Sequence, residues 1–255
     1  MEIMQTIPDG SVDMILCDLP YGTTNHKWDK CLPLGYLWQH YWRIARENAA
    51  VVLTAQQPFA NKLVTTAQKY FRYELIWEKS VALGFLNARK MPLRAHENIL
   101  VFYRKLPKYR PQMTHGKPYH KKGSGKRLYV NGSAYTDVGK DNEGLRYPRS
   151  VLRFSKGEVA GHPTEKPLAL FEWLVRTYTD EGDLVLDNCI GSGTTAVACE
   201  RNGRRWIGME KEEKYYVMAK ERLVRLVAEK GQVEQAGEET ADDDEQAQED
   251  GADRK

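Results

Sequence analysis

Leu184-Val185-Leu186-Asp187-Asn188-Cys189-Ile190-Gly191-Ser192-Gly193-Thr194-Thr195 decides the fold. A short apolar run ending in an acid reads as a buried strand. The two glycines that follow read as a tight turn, and Thr194 to Arg201 reads as a helix. Glycines let a ligand approach the backbone closely, and the start of a helix offers unpaired N–H groups. Asp187 adds a negative charge, so the turn favours a ligand with a cationic part over a pyrophosphate. About twenty residues on, Arg205-Trp206-Ile207-Gly208-Met209-Glu210 reads as a second strand, and an acid at that place suits ribose hydroxyls. A P-loop would need a lysine after Gly193, which is absent. A dinucleotide-binding turn would want a third glycine where Ala196 stands.

Working outward, the partner of this turn lies near the start of the chain. Val12 to Cys17 is another apolar run, and it enters Asp18-Leu19-Pro20-Tyr21. Pro20 cannot continue a ladder, so the strand stops there and leaves a carboxylate, a carbonyl and an aromatic ring on a stiff turn. Open α/β sheets place ligands at the carboxyl ends of strands. These groups suit a flat ring bearing an amino group. Asp18 can accept one N–H, the Leu19 carbonyl can accept the second, and Tyr21 can stack on the face.

Together the two stretches resemble the DNA amino-methyltransferases, whose patterns are D-P-P-Y at the target site and D-x-F-x-G-S-G-T-T at the cofactor site. The target motif comes first here, as in the family's β class. His162-Pro163-Thr164-Glu165-Lys166-Pro167 resembles that class's H-P-T-x-K-P element, which helps enclose the methionine end of the cofactor. The loop Gly22 to Asp29 looks most like phage-encoded members. The resemblance covers roughly residues 1 to 230. It implies S-adenosyl-L-methionine as cofactor, held by Asp187, Cys189, Gly191, Ser192, Gly193, Thr194, Thr195, Glu210 and Lys166. It implies methyl transfer to an everted base in duplex DNA at Asp18, Leu19, Pro20 and Tyr21, with no metal. An Asp at the first motif position accompanies adenine N6 more often than cytosine N4 in the family, so adenine is the expected base and N4-cytosine the alternative. A catalytically impaired DNA-binding relative, an RNA methyltransferase and a protein-glutamine methyltransferase are the other readings. The last carries Asn at the first position and the opposite motif order. Two departures stand out. Leu19 replaces the usual first proline, and Asn188-Cys189-Ile190 replaces Pro-Phe-Ala, so the aromatic contact to the cofactor is missing or comes from elsewhere. Relatives also carry a strand and a Gly-Asp pair upstream of the counterpart of Ile3 to Ser11, which this sequence starts after.

Between the motifs, helix-like stretches at 34–47 and 59–68 alternate with strand-like stretches at 50–54, 73–77 and 98–103. That alternation predicts an α/β fold with a doubly wound, mostly parallel, Rossmann-like methyltransferase sheet. Trp28, in the loop after the first motif, could cover an everted base or pack on the core. Residues 79–97, expected as the far wall of the target pocket, supply Lys79 as a phosphate contact and Phe85 as a stacking partner. Residues 104–149 differ in composition, with twelve Lys or Arg against three acids and interleaved tyrosines. This is an insertion suited to a duplex backbone, with Arg104, Lys105, Lys108, Arg110, Lys117, Lys121, Lys122, Lys126 and Arg127 as phosphate candidates. The organisation expected is a target-base half at 1–103, a target-recognition insertion at 104–160, a cofactor half at 161–230 with helices at 167–179 and 212–230, and an acidic tail at 231–255.

The chain has 255 residues and a net charge of +3. Thirty-six of its 38 Lys and Arg but only 25 of its 35 acids precede Glu234, so the body carries +11, as suits a protein that meets phosphate. The tail holds the other ten acids without aromatic or branched aliphatic residues, a composition expected to be disordered. The four cysteines, at 17, 31, 189 and 199, form no C-x-x-C pair and read as reduced cytosolic thiols. No apolar run approaches membrane-spanning length. Cytoplasmic placement in a bacterial or phage-infected cell is expected. Double-stranded DNA is the expected partner, and a second copy of the chain or a cognate restriction nuclease are partners the class admits.

Overall fold

The computed structural model describes residues 2–22, 30–130, 132–155 and 165–229. Its centre is a seven-stranded sheet built from β1 (Val12–Cys17), β2 (Ala45–Ala55), β3 (Phe71–Leu83), β4 (Arg94–Phe102) and three later strands. Helices α1 (Leu34–Ile44) and α2 (Phe59–Thr66) separate the first three. Six short strands follow β4: β5 (Thr114–His115), β6 (Tyr119–Lys121), β7 (Arg127–Val130), β8 (Ser133–Thr136), β9 (Lys140–Asn142) and β10 (Leu145–Arg146). The chain then re-enters the sheet at β11 (Val151–Arg153), forms α3 (Leu168–Tyr178), and completes it with β12 (Leu184–Asp187), α4 (Thr194–Arg201) and β13 (Arg205–Gly208). A last helix, α5, covers 213–229.

The spatial order is β11-β3-β4-β2-β1-β12-β13, and only β4 runs against the rest. Both faces are covered, which is why the central strands read as unbroken apolar runs. Val12, Ile15 and Cys17 of β1 pack with Leu37, Tyr41 and Phe59 of α1 and α2. Met14 and Leu16 face the other way, onto Phe171 and Leu174 of α3 and Cys199 of α4. The doubly wound sheet expected from the alternation is the architecture observed.

Three stretches differ from expectation. The helix expected at 34–47 ends at Ile44, and β2 begins at Ala45 where the strand was expected from 50. Residues 79–97 include the ends of β3 and β4, which pair as far as Leu83 opposite Arg94 across an irregular register and are joined through 84–93. Their exposed polar residues broke the apolar pattern that marks a strand. The insertion begins later than residue 104. Lys108 is paired with Asp183 at 2.6 Å, Arg110 with Asp180 at 2.9 Å, and the Arg110 N–H donates to the Thr177 carbonyl at 2.8 Å, so this strap is tied to the core. The insertion proper is one nested ribbon: β5 pairs with β10, β6 with β9, and β7 with β8. A Cβ at Gly123 would sit 2.3 Å from the Gly139 nitrogen, so a side chain there would force the two arms apart.

Candidate active site

β1 and β12 are parallel neighbours, with Ile15 opposite Leu186. That register carries both chains out of the sheet at one edge, so the turn at Asp18 and the turn at Asp187 emerge side by side. One cavity of about 580 Å³ is lined by Asp18, Pro20 and Lys166 and also by Asp187, Cys189, Gly191, Ser192, Thr194, Thr195 and Glu210. Six carboxylates and three lysines share its wall, an acidic balance that suits a cationic ligand. Aromatic surface comes from Tyr215 of α5, with the core residue Phe171 of α3 behind the wall, and neither is signalled by the loop motif.

Asp18 is firmly held. Its Oδ1 accepts from the Tyr21 hydroxyl at 2.8 Å and from the Thr54 hydroxyl, and its Oδ2 accepts from the Lys166 ammonium at 2.5 Å. Lys166 also lies 3.4 Å from Glu97 Oε2. Glu97 is held in turn by Lys79 at 2.5 Å and by the Gln56 amide at 2.9 Å. A charge chain thus runs Asp18–Lys166–Glu97–Lys79, and the last three side chains are less than a tenth exposed. Burial opposes charge on Lys166, yet Asp18 and Glu97 hold its ammonium above the usual lysine range. Burial likewise opposes ionisation of Glu97, but Lys166 and Lys79 keep its carboxyl below the usual range. Tyr21 stacks on Phe59 with ring centres 5.4 Å apart, and burial pushes its phenol well above the ordinary value. Leu19 buries its side chain in the core.

The cofactor-side residues brace their own loop. Asp187 is buried. It accepts the Cys189 N–H at 3.0 Å and the Thr195 hydroxyl at 2.5 Å, and burial raises its carboxyl to about 6. Its charge therefore serves the turn first, where the sequence suggested display toward a ligand. Glu210 accepts from the backbone N–H groups of Gly191 at 2.9 Å, Lys211 at 2.8 Å and Glu212 at 2.9 Å. A carboxylate has about four acceptor sites, so one is left for a hydroxyl. Gly193 takes φ +84°, and a Cβ there would come 3.0 Å from the Ala219 Cβ on α5, so only glycine allows the loop to nest against that helix. Arg222 of α5 reaches Glu165 at 2.5 Å, clamping the same helix beside Thr194.

The expected DNA contacts fare unevenly. Lys79 is a correction: its ammonium is buried against Glu97 and lies 5.2 Å from the centre of the Trp77 ring, so it is not presented to a phosphate. Phe85 is 81 % exposed at the tip of the β3–β4 hairpin and is not on the cavity wall. Arg104 donates to the Ala45 carbonyl at 2.5 Å and lies over Trp42. Lys105 pairs with Glu47, and Lys121 with Asp137 at 3.1 Å. Lys117, Lys122, Lys126 and Arg127 are exposed along the ribbon. Trp28, His162 to Thr164 and the acidic tail lie outside the described residues.

Thr54 and Gln56 were missed by sequence reading, and Glu97 was placed only within the expected far wall, without a role. A signal existed: Thr54 ends the apolar run Val51-Val52-Leu53 beside β1, and Glu97 opens the run Ile99 to Phe102 on the one reversed strand. Both therefore point polar groups at the edge where Asp18 emerges.

Fold and crevice define a doubly wound α/β protein with two strand-end loops across one acidic cavity. The chain belongs to the DNA methylase family of the N6/N4 type, whose model matches residues 12–221. The type II methyltransferase M.HpaI of Haemophilus parainfluenzae is 26 % identical over 241 residues, which are 88 % of this chain and 71 % of that protein. Among solved structures, the M1.HpyAVI–SAM complex superposes with a TM-score of 0.57 at 22 % identity over 87 % of this chain and 94 % of that one. The cytosine-N4-specific PvuII DNA methyltransferase superposes with a TM-score of 0.60 at 17 % identity over 86 % and 81 %. Among the described residues, no helix is long and apolar enough to cross a membrane.

Proposed function

We propose that this chain transfers a methyl group from S-adenosylmethionine to the N6 amino group of adenine in duplex DNA, after the base has been turned out of the helix. One observation carries the reading: Asp18 and the glycine loop share the wall of one cavity, placed there by adjacent parallel strands. The residues fit the cofactor. The wall is acidic, Glu210 keeps an acceptor site, and Tyr215 supplies aromatic surface. When bound, S-adenosylmethionine supplies a methyl on a sulfonium, which is already electrophilic.

The chain's own groups then have to hold a weakly nucleophilic amine. Three donors occupy the Asp18 carboxylate, which leaves about one of its four acceptor sites for an amino hydrogen. The Leu19 carbonyl takes the second hydrogen. Accepting both favours a pyramidal nitrogen whose lone pair faces the methyl, and the remaining contribution is alignment. Lys166 holds the Asp18 carboxylate in place while the base arrives, and Asp18 or water then receives the proton that the nitrogen gives up. Turning the base out costs a few kcal/mol, which stacking in the site offsets in part.

Adenine follows from Asp18, because the resemblance links Asp at that place to N6 more often than to N4. Incubating the protein with S-adenosylmethionine and duplex DNA, then identifying the modified nucleoside, tests it directly. N6-methyladenine is expected, whereas N4-methylcytosine would reassign the base and keep the chemistry. Asp18→Ala should abolish methyl transfer and leave cofactor binding within about twofold. Loss of both together would make Asp18 a structural residue.

A further inference from the structure

The β3–β4 hairpin runs past the site. β3 is parallel to β1, so its carboxyl end leaves the sheet at the edge where Asp18 sits. On β4, Arg94 lies three positions before Glu97 of the charge chain, roughly 10 Å at the rise of a strand. Residues 84–93 then form a loop beyond the last paired residues, Leu83 and Arg94. Its tip is apolar and uncovered: Phe85 is 81 % exposed, Leu86 95 % and Met91 56 %. Folded proteins rarely display such a cluster without a partner. The same tip carries Arg89, Lys90 and Arg94, all exposed, and no acid occurs between Glu78 and Glu97.

Charge selects the occupant. A second copy meeting this tip about a two-fold axis would set cations against the same cations. Nucleic acid offers phosphates for the arginines and lysine, and stacked bases for the apolar side chains. Apolar wedges of Phe, Leu or Met enter between base steps in proteins that deform a duplex. We propose that Phe85 and Leu86 form a wedge that enters duplex DNA beside the target pair and fills the space left by the everted base, while Arg89 and Lys90 hold the flanking phosphates. The inference rests on the DNA methyltransferase reading and adds the device that opens the duplex.

The experiment uses the double variant Phe85→Ser/Leu86→Ser, whose side chains are exposed and contribute little to the fold. Methyl transfer is measured on an intact duplex and on the same duplex with an abasic position opposite the target, which removes the pairing that must be broken. The variant should lose about tenfold or more in kcat/KM on the intact duplex and return to within about threefold of wild type on the abasic one, because an unpaired base is easier to extrude. Cofactor affinity and thermal midpoint should not move. Equal losses on both substrates would overturn the wedge and leave a general DNA contact; no loss on either would remove the tip from DNA binding. A change in sedimentation on substitution would assign the tip to a second copy. Absence of methyl transfer by the wild type on any duplex would instead sink the functional reading, an outcome distinct from these.

Discussion

Lys166 sits between two carboxylates, 2.5 Å from Asp18 and 3.4 Å from Glu97. The resemblance placed it with the cofactor, and its position on the cavity wall allows that contact. Its ion pairs suit a second task, which is to hold Asp18 in place as an oriented acceptor. The two tasks separate by measurement. Lys166→Met should lower kcat by about tenfold or more, since a misplaced reacting group costs up to about a hundredfold, while cofactor affinity changes little. A large loss of affinity with kcat intact would return the residue to the cofactor. Stability gives a second reading. Removing one partner of a buried pair costs about 3–5 kcal/mol, and the low end applies because Asp18 keeps some contact with solvent. In the double variant Lys166→Met/Glu97→Gln one positive and one negative charge leave together, so its loss should fall at least about 1 kcal/mol short of the sum of the singles. Additive losses in urea unfolding would show that the two groups do not act as a unit. The chain also sets a pH window. Glu97 is held below its ordinary 4.5, so its contribution is present above that value and fades as acid protonates it. Lys166 is held above 10.5, so its contribution is present below that value and fades as base removes the proton. Asp18 itself was plain in the sequence because proline marks where its strand must end. Its partners were not, because Thr54, Glu97 and Lys166 are 36, 79 and 148 residues away and only the sheet brings them together.

The glycine turn shows at the scale of an element what a single acid does for its own backbone. Strand, turn and helix were legible from residues 184–201 with the boundaries observed, because the apolar run, the glycines and the helix start are all local signals. The role of Asp187 was not local. With both oxygens accepting from the turn and the carboxyl raised to about 6, it is a buried acid that costs stability when ionised. In the unfolded chain it ionises near 3.8, so between that value and 6 the folded state binds more protons. Stability should therefore fall as pH rises through this interval, by about 3 kcal/mol for two units at about 1.4 kcal/mol each, and stay level above it. Asp187→Asn removes the titration while keeping a group that can both accept and donate. The unfolding free energy of the variant, relative to wild type, should rise by about 2.4 kcal/mol between pH 4 and pH 7. Parallel profiles would mean that the carboxyl titrates normally and is not buried as described. The β3–β4 hairpin is the opposite case. Glu78, Lys79 and Ser80 interrupt the apolar alternation, so strand pairing with 94–96 had no signature in the sequence and emerges only from the register with β4.

Across the whole molecule, charge is segregated by position. The strap at 104–112 spends Lys108 and Arg110 on Asp180 and Asp183, and the Asp180 carboxyl is held down to about 2 by Arg110 and Lys108 in spite of the cost of burial. Composition could not distinguish these cations from their neighbours in sequence, because a run of lysines and arginines looks the same whether or not acids meet it in space. The ribbon beyond it has an outgoing arm of 17 residues, 114–130, which spans at most roughly 55 Å if fully extended. That upper bound exceeds one turn of duplex, about 34 Å, so the number of residues in the arm is compatible with following a groove. Lys117, Lys122, Lys126 and Arg127 are exposed along it, and the Arg127 guanidinium lies over Tyr129. If these four meet phosphates, neutralising them to Gln should weaken DNA binding for every sequence alike. Each lost phosphate contact should also flatten the dependence of log K on log salt by about 0.9. Four contacts would reduce the slope by between three and four, whereas Lys108→Gln and Arg110→Gln should leave it unchanged and lower only the thermal midpoint. Titrations at several salt concentrations, with cofactor affinity measured in parallel, read both effects. A slope unaltered by the ribbon variant, or altered by the strap variant, would mean that the duplex lies on the strap and that the ribbon serves another partner.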